Sequence, residues 1–448
     1  MRKIYSLQEK IRKFFAIFTP IFITQISLMA TGFFDTVMSG QVSHYDLAGV
    51  AIGANLWMPI FTGISGVLAG MTPILSQLNG AGRKKDMPFL VLQSIYISIA
   101  LAIVVIVGGS IVLTPILNLM TLEPVVHDIA YQFLIALAIG ILPLFVSAVL
   151  RNFIDALGYT RITMLITLCA VPINIALNYL LILGNFGFPR LGGVGAGYAS
   201  AITYWCLVLI SIGVIHYLKP FKDYKVFDRL VDISLKTWWE LLVVGLPIGL
   251  SIFCEVSIFG VVALLMAEYG TAVIAAHQAA INFASLVYMV PLSIGMTLTI
   301  VVGFEVGARR YSDAREYSKL GIAIAIMIAV FFAIGLSAFN SQIAGLYTQE
   351  KEVLELIQNF LVYAVFFQLS DALAAPIQGA LRGYKDVKVT LLMAILSYWG
   401  IGMPIGYFLA KFTALQAYGY WIGFIAGLAV GATVLLVRLI RLQQKHKR

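Results

Sequence analysis

Apolar residues run along this chain in long unbroken blocks. They fall at roughly 14–38, 47–76, 89–114, 130–150, 162–184 and 195–217, and again at roughly 240–267, 272–302, 317–339, 355–378, 389–411 and 415–437. As helices, blocks of this length cross the ~30 Å hydrocarbon layer of a bilayer. A membrane-spanning strand would alternate apolar and polar positions over about ten residues, which these blocks do not do. The pattern therefore predicts twelve transmembrane helices and no barrel.

The polar segments between the blocks carry a topology signal. Of the 30 lysines and arginines, only Arg190, Lys351 and Lys411 fall in the segments on one side; all the rest fall on the other. Basic residues accumulate in cytoplasmic loops, so both termini are predicted in the cytoplasm of a multi-pass protein of a bacterial-type inner (cell) membrane. A missed or added helix would scramble this alternation. The stretch Met1 to Lys13 is basic and amphipathic, and the apolar block after it is too long for a signal-peptide core, so it is read as a mature helix.

The two sets of six are related. At an offset of 227, Pro20 meets Pro247, Ala48 meets Ala275, Asn55 meets Asn282, Gly80–Ala81 meets Gly307–Ala308, Arg83 meets Arg310 and Asp86 meets Asp313. The offset drifts to 225 at Gly158–Tyr159 and Gly383–Tyr384, and to 222 at Gly197–Tyr198 and Gly419–Tyr420. Six helices per half start both halves on the same side, so the repeat is parallel. The predicted fold is an all-α integral membrane protein, twelve helices in two pseudo-symmetric six-helix bundles around a central cleft. The predicted domains are an N-terminal lobe over 1–217, a cytoplasmic linker over 218–238 and a C-terminal lobe over 239–448.

Composition excludes the soluble alternative, since 60% of residues are apolar and 11% charged, too few to cover a solvated exterior. The net charge of +9 does not imply nucleic acid, because the basic residues are scattered between apolar runs rather than gathered in a patch. Cys169, Cys206 and Cys254 sit in apolar runs without a CxxC pair and are read as small buried hydrophobes. In the linker, Lys219, Lys222, Lys225, Arg229 and Lys236 interleave with Phe221, Tyr224, Phe227 and Leu230. That segment is read either as lying on the anionic leaflet or as a plain basic loop.

No P-loop, HExxH motif or Cys/His cluster is present, and no catalytic constellation supports an enzyme. Gly192-Gly193-Val194-Gly195 falls in a predicted outer loop and is read as a turn. Three lone carboxylates do lie inside apolar runs: Asp35, Glu255 and Asp371. A carboxylate at bilayer depth persists if it faces a cavity, binds a cation or titrates; the structural alternative is a hydrogen-bond anchor between helices. The repeat aligns these acids with Val262, Leu28 and Val146 respectively, so each half has its own polar site. Asn174 and Asn178, one turn apart on one helical face, are read as amide carbonyls beside Asp35 for a cation or a protonated acid, or as interhelical glue. Arg151, Asn152 and Asp155 sit at a helix end where an ion pair or snorkelling accounts for them, and His277 is read as a packing histidine before a titrating one. Aromatic and methionine side chains suited to organic cations are plentiful, Phe253 and Tyr288 among them. Pro20 and Pro247, repeat mates in the first helix of each half, are candidate bending points.

The stretch Phe33-Phe34-Asp35-Thr36-Val37-Met38-Ser39-Gly40 and the segment Ala275-Ala276-His277-Gln278 resemble those of multidrug and toxic compound extrusion transporters. So do Gly307-Ala308-Arg309-Arg310 and Gln378-Gly379-Ala380-Leu381-Arg382-Gly383. The resemblance is closest to the NorM-like branch and spans essentially the whole chain. It implies export of small organic cations and drugs in exchange for sodium ions or protons. It further implies cation binding by acids matching Glu255 and Asp371 in the second lobe, with a first-lobe site at Asp35 and Asn174. Some relatives carry an acid where this chain has Asn178, a departure that lowers the charge of the first-lobe site.

Together these observations predict a multidrug antiporter working by alternating access, a monomer with no cofactor beyond its coupling ion, Na+ or H+. Asp35, Glu255, Asp371, Asn174 and Asn178 are the expected cation-coupling residues, with Glu255 and Asp371 as the Na+ candidates. Asp35, Asp371, Phe253 and Tyr288 are expected to meet substrate. A flippase for lipids or lipid-linked precursors is the alternative. It would line its cleft with basic residues, whereas the intramembrane charges read here are acidic.

Overall fold

The computed structural model describes residues 1–447, and among them there is no strand. Among the described residues eleven helices are long and apolar enough to cross a membrane, and a bent pair, taken as one span, makes a twelfth. In chain order they are α1 (Leu7–Gly40), α2 (His44–Gly80), α3 (Lys84–Leu119), the bent α4 (Pro124–Ala138 with Ile141–Ala156), α5 (Thr160–Leu181) and α6 (Gly193–Tyr217). The second half follows with α7 (Leu235–Tyr269), α8 (Thr271–Gly307), α9 (Tyr311–Ala338), α10 (Lys351–Gly383), α11 (Lys388–Phe412) and α12 (Tyr418–Lys445).

The fourth span is not the single run its apolar block predicts. It breaks by 51° between Ala138 and Ile141. Gly140 sits at the break, where a Cβ would lie 2.6 Å from Cα of Ala201, so α6 comes too close there for any larger residue. A second irregularity lies in α11, where Ile395–Gly402 winds as a π-helix. Such wide turns are rare and gather at functional sites.

The chain forms two compact units, one comprising Thr19–Gly249, the other Met1–Phe18 with Leu250–Arg448. The repeat-related helices α1 and α7 are each divided, close to Pro20 and Pro247. Proline removes a backbone donor from the helix interior, and in α1 the Pro20 carbonyl accepts a hydrogen bond from Thr24 Oγ1 at 2.9 Å. The first turns of α1 are secured within their unit by the buried Lys10 ammonium, which pairs with Asp313 at 2.7 Å and with Glu316 on α9.

In the unit of Thr19–Gly249 the core gathers around Met71, Leu75, Phe145 and Phe153. The linker joins it: Phe221 is fully buried, and Tyr224 and Phe227 pack on the same cluster. Gln93 of α3 donates to the Asp232 carbonyl at 2.7 Å and accepts from Ser234 N at 3.0 Å and Trp238 Nε1 at 2.9 Å. Of the two readings of this segment, neither a leaflet-facing set nor a plain basic loop describes the three aromatics, because the unit's own core offers them a drier and better packed site; of the four side chains only Leu230 is exposed, at 88%. The cysteines also differ from expectation. Cys169 is exposed and Cys206 and Cys254 are half-buried. A small apolar side chain gains nothing from burial when the surrounding solvent is lipid.

In the other unit Phe360, Tyr420, Trp421 and Phe424 form the centre of the core. Here α8 and α10 meet at Gly295 and Gly379. A Cβ on Gly295 would stand 2.8 Å from the Ala375 carbonyl oxygen, and one on Gly379 would collide with the Gly295 carbonyl. Thr299 of α8 also donates to the Gly379 carbonyl at 3.0 Å. This backbone contact brings together two of the helices that line the second site.

Candidate functional site

Asp35 lies on α1, buried to 8% exposure, and is enclosed by side chains of α5 and α6. Its Oδ1 accepts from Asn174 Nδ2 at 3.1 Å and from Asn178 Nδ2 at 2.8 Å. Its Oδ2 accepts from Ser200 Oγ at 2.7 Å. Asn178 Nδ2 also reaches Asn174 Oδ1 at 3.2 Å, which locks the two amides together. Taking a carboxylate out of water costs several kcal/mol, and hydrogen bonds to a charged acceptor return roughly 1.5–3 kcal/mol each. Three of them offset most of that cost. The amides thus turn their nitrogens, not their carbonyl oxygens, towards Asp35. The bonds to Asp35 tie α5 to α1, as interhelical glue would; of the carbonyl oxygens, Asn174 Oδ1 accepts from Asn178, while Asn178 Oδ1 is buried without a hydrogen-bond partner. Ser200 was not singled out from sequence, although it lies one turn from Ala196 and Gly197 on the face that packs inward.

The second group lies wholly in the other unit. Glu255 of α7, Tyr288 of α8, Asp371 and Gln378 of α10, and Ser397 and Tyr398 of the π-segment line one small, open cavity. Asp371 and Gln378 are seven residues apart, two turns on one face of α10. Gln378 Nε2 donates to Glu255 Oε1 at 3.3 Å, and Glu255 and Asp371 interact electrostatically. The π-segment is fastened to α7 beside the acid, Trp399 Nε1 donating to the Cys254 carbonyl at 3.2 Å. No other donor meets these carboxylates among the described residues, so most of their lone pairs face the cavity. In this the second site is the converse of the first.

Phe253, expected to meet substrate, is 45% exposed and does not line this cavity; Tyr288 does. Two residues apart on a helix, Phe253 and Glu255 point to different faces. His277 is fully buried, and its Nδ1 accepts from Trp421 Nε1 at 3.0 Å, which is a packing histidine's environment. Arg151 and Asp155 do not snorkel outward as their helix-end position suggests. Asp155 is 6% exposed and its Oδ1 is without a hydrogen-bond partner. Arg151 lines a small cavity of α4, α5 and α6 with Ser147 and Thr163. Gln378, Ser397 and Tyr398 were missed in the sequence. The helical period from Asp371 marks Gln378, whereas the π-turn that aims Ser397 and Tyr398 has no sequence signal here.

A dozen spans in a six-plus-six repeat, with intramembrane acids turned to a shared cavity, define a polytopic membrane transporter. The family model described as MatE matches residues 20–180 and again 247–408, one match per repeat. Probable multidrug resistance proteins NorM of Bacillus licheniformis and Bacillus subtilis are each 55% identical over 446 residues, covering 100% of this chain and 99% of theirs. Among solved structures, an outward-facing multidrug resistance MATE family transporter of the MOP superfamily superposes with TM-score 0.87 at 20% identity, over 100% of both chains. The Vibrio cholerae MATE transporter VcmN in its bent form does so with TM-score 0.86 at 18% identity, over 98% of both. The chain belongs to the MatE family, as a NorM-like multidrug efflux transporter.

Proposed function

We propose that this transporter exports organic cations in exchange for a monovalent cation, and that Glu255 and Asp371 are the coupling acids. The observation that carries this is the contrast between the two sites: the Asp35 oxygens are occupied by three protein donors, whereas the second-site acids turn lone pairs to a cavity. Carboxylate, amide and hydroxyl oxygens from Glu255, Asp371, Gln378 and Ser397 are hard ligands suited to sodium; a proton shared between the two acids is the alternative coupling ion. When the cavity opens outward, the ion enters and the cavity releases drug. When it opens inward, the cationic drug is drawn to Asp371 and to the ring of Tyr288, and the ion leaves. One occupant at a time satisfies the pair, and that exclusion couples the two movements. Asp35 with Asn174, Asn178 and Ser200 holds α1, α5 and α6 together above Pro20, so its part is to transmit the change of state. Bending at Pro20 and Pro247 supplies the motion.

The test is ethidium efflux from de-energised cells lacking their own drug pumps, after imposing an inward sodium gradient or an inward proton gradient in separate runs. Efflux on sodium alone establishes sodium coupling, and efflux on protons alone recasts the acids as proton carriers. No efflux with either, from protein present in the membrane, contradicts the antiporter and favours the flippase alternative.

A further inference from the structure

One charged group beside the second site has no place in the exchange described above. Arg382 is on α10, one turn beyond Gln378, so Asp371, Gln378 and Arg382 form one stripe of that helix. Side chains on a helix lean towards its N-terminus, which carries the guanidinium back over the turn of Gln378, the residue that donates to Glu255. The Arg382 Nε is buried and without a hydrogen-bond partner, and the guanidinium interacts electrostatically with Glu255 and Tyr288. A guanidinium normally finds a bidentate acceptor when withdrawn from water; this one is near an acid without being bonded to it.

The fold itself does not require an arginine there. At the repeat offset of this segment, Arg382 corresponds to Leu157 in the first half, which closes the equivalent helix end as a buried apolar residue. The arginine is specific to the half that carries the acid pair. Its effect on that pair is electrostatic: two carboxylates and one guanidinium sum to a single negative charge, which one monovalent cation neutralises.

We infer that Arg382 is a positioning residue whose fixed charge limits the Glu255–Asp371 site to one monovalent cation at a time and speeds that cation's release. This rests on the antiporter proposal and extends it to the control of ion affinity. Without Arg382 the acids would present two negative charges. An ion would bind more tightly and leave more slowly, and ion and cationic drug could be accommodated together. A unit charge roughly 10 Å away, at an effective dielectric of about 20, changes affinity by about an order of magnitude.

The experiment measures ethidium efflux in proteoliposomes as a function of the driving ion, whichever of Na+ and H+ drives the parent protein. In Arg382→Met the half-saturating ion concentration should fall about tenfold while maximal turnover also falls. Arg382→Lys, which keeps the charge, should restore both. In a Glu255→Gln background, adding Arg382→Met should bring back part of the lost ion dependence, because the net charge returns to −1; a purely structural arginine predicts no such rescue. Arg382→Gln reads the same shift if the methionine variant does not reach the membrane. Absence of ion-driven efflux in the parent would overturn the antiporter proposal itself. Ion-driven efflux in the parent with an unchanged half-saturating concentration in Arg382→Met, or failure of lysine to restore it, would overturn the role of Arg382 alone.

Discussion

The Asn178 amide nitrogen stands 2.8 Å from Asp35 Oδ1, and Asn178 is fully buried. An amide at this position supplies a donor, whereas the acid that some relatives carry would add a second charge and demand a cation or proton between the two. Asn178→Ala removes one charge-assisted bond and leaves Asp35 under-satisfied, a loss of about 1–3 kcal/mol. It should lower the melting temperature of the purified protein by a few degrees. Asn178→Asp, made in a Glu255→Gln background to silence the second site, should give a melting temperature that rises with sodium or with acidification. A melting temperature insensitive to both would show that this site does not govern cation binding through residue 178.

Asp371 is expected to serve both ligands, because it lines the cavity and meets no protein donor among the described residues. Asp371→Asn should reduce ion-driven ethidium efflux at least tenfold and weaken ethidium binding, with the protein still in the membrane. Efflux assays and fluorescence anisotropy read the two effects separately. Normal efflux in this variant would remove Asp371 from the exchange.

Much of this was legible beforehand, and the limits have physical causes. Twelve spans follow from unbroken apolar blocks, because hydrocarbon thickness sets block length whatever the helices later pack against. The bend in α4 was not legible: Gly140 looks like any intramembrane glycine until Ala201 is found against it. The lone carboxylates could be found one by one, since a charge in an apolar run is costly wherever it sits. Of the three residues that hold Asp35, Asn174 and Asn178 were read beside it, but the direction of an amide is set by the acid it meets, and Ser200, on a further helix, carried no signal of its own. Likewise, nothing in Ile395–Gly402 announces a π-helix, yet that winding sets Ser397 and Tyr398 in the wall beside Glu255.

The backbone contact between α8 and α10 makes a stability prediction. Gly379→Ala puts a methyl group into the Gly295 carbonyl, and neither backbone can retreat without opening the helix pair. Overpacking of this kind costs about 1–3 kcal/mol or more. Thermal melting of Gly379→Ala should show a clear loss, with weaker ion dependence of efflux as α10 is pushed off α8. An unchanged melting temperature would mean that the two helices do not need this approach.

The divided helices α1 and α7 predict a kinetic effect. Pro20→Ala and Pro247→Ala restore a backbone donor and favour a straight helix. Each should retain ethidium binding but lower turnover several-fold, and the double variant should be slower than either. Turnover at the parent rate in all three would exclude bending at these residues from the cycle.

The most direct test of the account is Glu255→Gln, which keeps the side chain's shape and its contact with Gln378 but removes the charge. In proteoliposomes, with the ion gradient that drives the parent, the account predicts that ion-driven ethidium efflux is lost while ethidium binding to the purified variant is retained. Ion-driven efflux at the parent rate and with the parent ion dependence would contradict it, and would place the coupling ion elsewhere than on Glu255.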